Sequence, residues 1–305
     1  MSLAHIVRVL GGDLWDGGRR ANVPGPGHGP ADRSASLLLV DGRVIAHSFA
    51  GQDWREILQD LRRRGLINAA GRPGGGETTT TSPPLSLRER LARARALWAE
   101  GVELGGTPAA RHLQRRAVTG GGPALRAHPA VAAAVYADQG PCRPALLAGV
   151  RAPDGAICAV EVTYLAANGL TARVRSPRKT IGVLPPGCAV RLDDAASELV
   201  VGEGVFTCLS AAEHLQRPAW ALLSAGGLSR WSPPPSVRRV LVAADRDRTG
   251  LRAARRLAVR LRACGLAVAL RLPPRGFSDW NAFAQAIRGP VGGSPGQPGR
   301  SRPGT

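Results

Sequence analysis

Two kinds of apolar pattern alternate along the 305-residue chain, one spaced as a helix spaces its buried face and one running in short blocks. Residues 3–10 have helical spacing. The blocks 37–40 and 44–49 flank Asp41-Gly42, a pair that favours the two-residue turn of a hairpin. Residues 53–64 return to helical spacing, so 1–69 read as a small α+β module. Residues 70–86, rich in Gly, Thr and Pro, read as a linker. Helices are expected over 87–100 and 107–116. In 123–192 the blocks 146–150 and 156–161 flank Ala152-Pro153-Asp154-Gly155 and predict a second hairpin. Residues 162–165 continue its second strand, and Asn168-Gly169 makes the next turn. The pattern changes over 193–287. Apolar blocks at 198–201, 219–223, 240–244 and 267–272 alternate with helical spacing at 206–215, 251–263 and 280–287, and 224–228 read as a loop. Such alternation predicts an α/β unit around a buried parallel sheet. Residues 288–305, with Arg288, Arg300 and Arg302 among Gly, Pro and Ser, read as a disordered basic tail.

The chemistry gathers at two of these strand ends. The block 198–201 runs into Gly202-Glu203-Gly204, and 240–244 ends in Asp245-Arg246-Asp247, with Gly250 opening the next helix. In open parallel sheets, ligands sit beyond the carboxyl ends of the strands. Glu203, Asp245 and Asp247 are therefore expected on one rim, where they repel one another unless they share a cation. Arg246 and Arg248 alternate with the aspartates, and in an extended segment they point the other way. Hard oxygen donors of this kind suit Mg²⁺ or Mn²⁺. Plainer roles stand beside this one. Glu203 can be a first-turn residue favoured by the helix dipole, and Asp245 or Asp279 a helix cap.

A glutamate after a first strand, followed by Asp245-x-Asp247-x-x-Gly250 after a later one, resembles the Toprim domain shared by bacterial-type primases, topoisomerases and some nucleases. The order of elements over 198–287 agrees, and Ser278-Asp279-Trp280-Asn281 resembles the Asp-containing close of that domain in mobile-element primases. The resemblance implies a Rossmann-like parallel sheet flanked by helices over 193–287, preceded by an α+β primase-core segment over 87–192. It implies Glu203, Asp245 and Asp247 as catalytic residues, and the same three with Asp279 as metal ligands. In phage- and plasmid-type primases, basic residues before the Toprim domain line the groove for template or nucleotide. Arg178, Lys179 and Arg191 stand in such stretches here. Lys179 is the only lysine of the chain, and a compact ammonium is not equivalent to a guanidinium fork.

The module 1–69 resembles the N-terminal zinc-binding domain of those primases, with a departure. The cysteines of that domain are missing, and only His28 and His47 stand near the ligand positions, in segments that include His47-Ser48-Phe49-Ala50-Gly51. Tetrahedral zinc needs about four such ligands, so the module is expected to fold without metal. His28, with Arg33, Ser34 and Ser36 beside it, reads as a polar turn or a contact to a nucleic-acid backbone.

Composition adds a partner class. Net charge is +19, from 41 basic against 22 acidic residues, which favours a polyanion, nucleic acid first. The preference for Arg over Lys is what GC-rich coding produces, yet that bias does not explain the shortage of acids. The arginines at 88, 90, 93 and 95 read as a solvated helix face. No run of about 18 apolar residues is present, and the N-terminus lacks a signal-peptide pattern. The five cysteines form no Cys-x-x-Cys pair and read as small buried hydrophobes in a reducing cytoplasm.

Together these readings predict a primase-like protein that joins nucleotides into short primers on single-stranded DNA, with Mg or Mn and nucleoside triphosphates, in a phage or mobile element. A Toprim nuclease and a non-catalytic DNA-binding accessory protein are the alternatives. Tyr136 and Tyr164, the only tyrosines, do not sit in a helical gate of the kind a topoisomerase needs. No Walker A motif is present, so a helicase partner is expected to be a separate protein.

Overall fold

The computed structural model describes residues 2–30, 32–49, 53–74, 85–136, 138–174 and 176–288, and it divides into two compact units, Met1–Ser86 and Leu87–Thr305. Ala50, Gly51, most of the expected linker and the tail beyond Arg288, with Arg300 and Arg302, lie outside the described residues.

In the first unit, α1 (Ala4–Leu10) precedes β1 (Asp13–Trp15), β2 (Arg20–Val23), β3 (Ala35–Val40) and β4 (Arg43–Ser48), and α2 (Trp54–Arg63) follows. The strands form an antiparallel sheet in chain order. Asp41 and Gly42 both take positive φ, 49° and 75°, as a tight hairpin turn demands. Alternate residues of β3 and β4 (Ala35, Leu37, Leu39, Val44, Ala46) are buried against Ile57, Leu58 and Leu61 of α2. Asp53 caps α2 by accepting a bond from the Arg55 amide at 2.9 Å, worth about 1 kcal/mol. β1 and β2 escape a pattern reading because they are three and four residues long. Residues 70–74 belong to this unit rather than to a linker. Ile67 bridges Pro73, and the Gly71 carbonyl accepts from the Val44 amide at 2.8 Å.

The second unit contains α3 (Leu87–Ala99), α4 (Pro108–Arg115), β5 (Leu125–Ala134), β6 (Gln139–Arg151), β7 (Ile157–Tyr164), β8 (Arg178–Gly182) and β9 (Ala189–Arg191). It continues with β10 (Glu198–Gly202), α5 (Val205–Leu215), β11 (Ala219–Ala221), α6 (Ala225–Arg230), β12 (Arg239–Ala243), α7 (Arg248–Ala263), β13 (Ala267–Arg271) and α8 (Trp280–Arg288). One nine-stranded sheet runs β13-β12-β10-β11-β9-β6-β7-β8, with β5 paired to β6. The first four strands in that order are mutually parallel. Short β9 runs antiparallel to both β11 and β6 and so joins the two halves into one sheet.

Helices cover both faces of the parallel half. Val200, Ala219, Ala221, Leu241 and Ala243 pack with α5 and Trp280, whereas Leu199, Val201, Trp220, Leu222, Val240 and Val242 pack with Leu257 and Leu261 of α7. Alternation along each strand sends successive side chains to opposite layers.

Residues 224–228, expected as a loop, begin α6. The Ser224 hydroxyl accepts from the Gly227 amide at 3.0 Å, and Leu228 is buried. Two adjacent glycines hide this helix from a propensity reading, while the cap and the packing of Leu228 stabilise it. Cys158, Cys188 and Cys208 are buried as expected, but Cys142 and Cys264 are exposed, one near the outer end of β6 and the other just past α7. Among the described residues no helix is long and apolar enough to cross a membrane.

Candidate active site

Parallel pairing of β10 with β12 sets Gly202 beside Ala243, so both strands end level and Glu203 and Asp245 emerge at the same rim. Gly202 makes the close approach possible. A Cβ there would lie 2.9 Å from the Ala243 carbonyl and 2.9 Å from the Cys208 sulfur. Asp247 caps α7, its Oδ1 accepting from the Gly250 amide at 2.8 Å, and Asp279 caps α8 by accepting from the Ala282 amide at 2.8 Å. Arg246 holds the two acidic loops together. Its amide donates to the Ser278 carbonyl at 2.8 Å, and its guanidinium donates to the Pro273 carbonyl at 2.7 Å. The arginine between the aspartates thus points away from them, and it also draws Asp279 to the rim.

The four carboxylates share one electrostatic environment. Burial, then Asp279, then Asp247 push Asp245 up to about 6, against a hydrogen bond from the Thr207 hydroxyl at 3.4 Å. Burial, then Asp245 and Asp247, raise Glu203. Mutual repulsion in a partly buried rim is what a shared cation relieves. Among the described residues, no three His, Cys, Asp or Glu side chains converge closely enough to cage a metal by themselves. Magnesium does not require such a cage, because it binds through one or two carboxylates, waters and substrate phosphates. The donor set therefore fits it. For zinc, the first unit offers little. His28 meets Asp32 at 2.8 Å and Ser34 at 3.1 Å, and His47 packs edge-on against Phe49 with ring centroids 5.1 Å apart.

A basic ridge faces the rim. Arg116, at the end of α4, lies over the Phe206 ring at 4.7 Å, and His112 meets that ring edge-on at 5.3 Å. Burial lowers the Arg116 pKa, the Asp279 carboxylate opposes this, and Arg178 adds to it. Asn281, 1% exposed, fixes the ridge to the acidic loop by donating to the Arg116 carbonyl at 2.6 Å and the Ser210 hydroxyl at 2.9 Å. Burial lowers His112 too, and Arg116, Arg178 and Arg115 act in the same direction. Its Nδ1 is 2.9 Å from the Gly169 carbonyl. That oxygen only accepts, so Nδ1 carries the proton.

The three basic residues singled out in the sequence go to different places. Arg178 lies opposite Thr163 on the sheet face it shares with Glu161, and its Nε is 3.9 Å from the Glu161 carboxylate. Glu161 is buried, which raises its pKa, with Arg178 opposing. Lys179, one residue on, faces the other way. Its ammonium donates to the Ala133 carbonyl at 2.6 Å and lies over the Tyr164 ring at 5.4 Å. Arg191 donates to the Ala152 and Pro153 carbonyls at 2.7 and 3.0 Å and stacks over Trp220 at 4.8 Å. Arg178 thus joins the ridge, while Lys179 and Arg191 are engaged elsewhere. Arg93 and Arg95, read as a solvated face, instead tie α3 to the Val135 and Ile157 carbonyls at 2.8 and 3.1 Å.

Sequence reading missed Arg116, His112, Phe206, Thr207 and the anchoring role of Asn281. Phe206 and Thr207 sit in the first turn after Glu203, where helix geometry alone puts them near the rim. Nothing in the local sequence marks Arg116, which reaches the site only through the fold.

Comparison with known proteins agrees with this architecture. Residues 198–288 match the family described as the Toprim domain, so the second unit carries a Toprim domain. Residues 88–192 match a domain of unknown function, DUF7146. No curated protein matches the chain. Several solved structures are similar to it. The primase fragment of the bacteriophage T7 primase-helicase is 15% identical, with a TM-score of 0.38 over 83% of this chain and 89% of that one. The zinc-binding and RNA polymerase domains of the Aquifex aeolicus primase are 11% identical, with a TM-score of 0.42 over 94% and 82%. The DnaG catalytic core is 13% identical, with a TM-score of 0.44 over 66% and 74%.

Proposed function

We propose that the second unit is a primase-like nucleotidyltransferase that makes short primers on single-stranded DNA from nucleoside triphosphates. The observation that carries this reading is a rim that carries Glu203, Asp245, Asp247 and Asp279, with Arg116 in electrostatic reach of Asp279 and Arg178 beside Arg116. A carboxylate set alone serves hydrolysis as well as synthesis. A nearby pair of guanidiniums adds what a triphosphate and a template strand need, fork-shaped donors for phosphate oxygens.

Asp245 and Asp247, with Asp279 beside them, would hold one or two Mg²⁺ or Mn²⁺ ions. Bound there, the ions supply Lewis-acid charge for the triphosphate and the attacking 3′ hydroxyl. Arg116 and Arg178 bind the phosphates of nucleotide or template. Glu203, its pKa raised by burial and by Asp245 and Asp247, either shares the metal or takes the proton of the 3′ hydroxyl, whose oxygen bonds the α-phosphorus as the bond to the β-phosphate breaks and pyrophosphate leaves. Thr207 holds Asp245 in orientation.

The test is incorporation of labelled nucleotides on single-stranded DNA with Mg²⁺ or Mn²⁺, comparing the native chain with Asp245→Ala. Short products that vanish in the variant support the reading. Template cleavage that vanishes in the variant replaces it with a nuclease. DNA binding without either product replaces it with an accessory protein.

A further inference from the structure

α7 carries six arginines and no acidic residue over Arg248–Ala263. One face is buried through Ala253, Ala254, Leu257, Ala258 and Leu261. Arg248, Arg252, Arg255 and Arg256 are exposed on the other. Arg260 and Arg262 are tied to the Trp231 and Val268 carbonyls. Among the described residues, the guanidiniums of Arg248, Arg252, Arg255 and Arg256 make no ion pair or hydrogen bond. The elements packed on α7 (α6, β12 and β13) contain no Asp or Glu either, and between Asp247 and Asp279 the chain has eight arginines and no acid.

Like charges three and four residues apart on a helix repel, so this stripe lacks the neutralisation that an ordinary solvated face acquires from interspersed carboxylates. A coding bias toward arginine explains the residue type but not the missing acids. The first 86 residues hold ten arginines with eight acidic residues, whereas the rest of the chain carries +17 of the net +19. The stripe also begins at the acidic rim, since Asp247 caps α7, and the helix continues for about 24 Å.

We infer that the exposed face of α7 is a second nucleic-acid contact, a backbone track that holds single-stranded DNA beyond the carboxylate rim. The occupant rests on the reading of the rim as a site that handles a DNA strand. Unpaired guanidiniums on a rigid element bind phosphates without regard to base sequence. A membrane surface fits less well. The apolar side of α7 is already spent on the sheet, leaving no face to enter a bilayer.

The experiment titrates labelled short and long oligothymidylates into the full chain over a range of salt, for the native protein and the Arg252→Gln/Arg255→Gln/Arg256→Gln variant. Gln keeps helix propensity, and circular dichroism checks the fold. The variant is expected to bind the long oligonucleotide roughly tenfold more weakly, with its salt slope reduced by about 2, as loss of three phosphate contacts on a single strand requires. Binding of the short oligonucleotide, which spans only the rim, is expected to be unchanged. Equal affinity and slope for both proteins would overturn the inference. So would variant-sensitive binding to phosphatidylserine vesicles beside an unchanged DNA titration, which would assign the stripe to membranes. Primer synthesis measured on the same samples separates the two readings. Failure of synthesis in a native protein whose DNA titration depends on α7 overturns the proposed function alone. Active synthesis with an unchanged titration overturns the track alone.

Discussion

Asp32 and Asp245 carry the same carboxyl group in opposite surroundings. Asp32, in the first unit, is ringed by donors. The Ser34 hydroxyl first, then the Gly25 amide, His28 and the Ser34 amide hold it well below the usual carboxylate range. Asp245 is ringed by burial and by Asp279 and Asp247, which push it up to about 6. The first aspartate is built into its loop, and its charge supports the fold. The second is held against its own charge, an arrangement that the proposed site would put to use.

The sharpest way to break this comparison is Asp245→Asn. Primer synthesis should fall by at least about a hundredfold, as loss of a charge-stabilising group in a reaction centre does, while the protein becomes more stable in metal-free buffer. The sign follows from proton uptake. Folded Asp245 keeps a proton that the unfolded chain loses near 3.8. Its protonated form therefore stabilises the fold below that pH, and the benefit is lost as pH rises through about 6. Asn removes the loss, so at pH 7 the variant should gain on the order of 1 kcal/mol once solvent screening of the part-exposed carboxyl is allowed for, shrinking toward zero below about pH 4. Denaturant melts across pH check this, and a variant less stable than native at pH 7 would contradict it.

Arg178 and Lys179 extend the comparison to neighbours. Arg178→Ala should raise the KM for nucleotides about tenfold, a loss of the size expected for a hydrogen bond to a charged group, and should also lower the melting temperature at neutral pH, because Glu161 stays buried without its guanidinium. Lys179→Ala should cost about 1–2 kcal/mol of stability through its lost carbonyl and ring contacts and leave KM nearly unchanged. Equal effects on KM would mean that β8 does not keep its two side chains on opposite faces.

Gly202→Ala tests the backbone under Glu203. Its Cβ has no room beside the Ala243 carbonyl and the Cys208 sulfur, and the repacking should cost about 1–3 kcal/mol. Asp32→Ala should have the smallest effect on chemistry. It should lower the melting temperature of the first unit at neutral pH and leave primer synthesis by the second unit unchanged. Because the folded pKa of Asp32 is depressed, its support is present above about 3.8 and is lost as pH falls below that value. The two aspartates therefore give pH responses of opposite sign.

Much of the second unit was legible in advance. Blocks ended by Gly or Asp and followed by helical spacing gave β10 and β12 within a residue or two, because a strand buried on both faces leaves a continuous apolar run. The acidic rim followed from strand polarity. The short strands β1, β2 and β9 and the glycine-bearing α6 were not legible, since three or four residues carry too little periodicity and pairing partners decide the outcome.

The sequence alone determined which strands are buried, where they end, and hence that Glu203, Asp245 and Asp247 share a rim; these are local consequences of apolar runs, turn residues and chain direction. Only the tertiary structure decided which basic residues face that rim. Pleating sends Arg178 and Lys179 to opposite sides of β8, Trp220 and two carbonyls take up Arg191, and Asn281 brings in Arg116 from 165 residues away in the chain. Charge can be counted along a sequence, but its direction is set by which surfaces pack together.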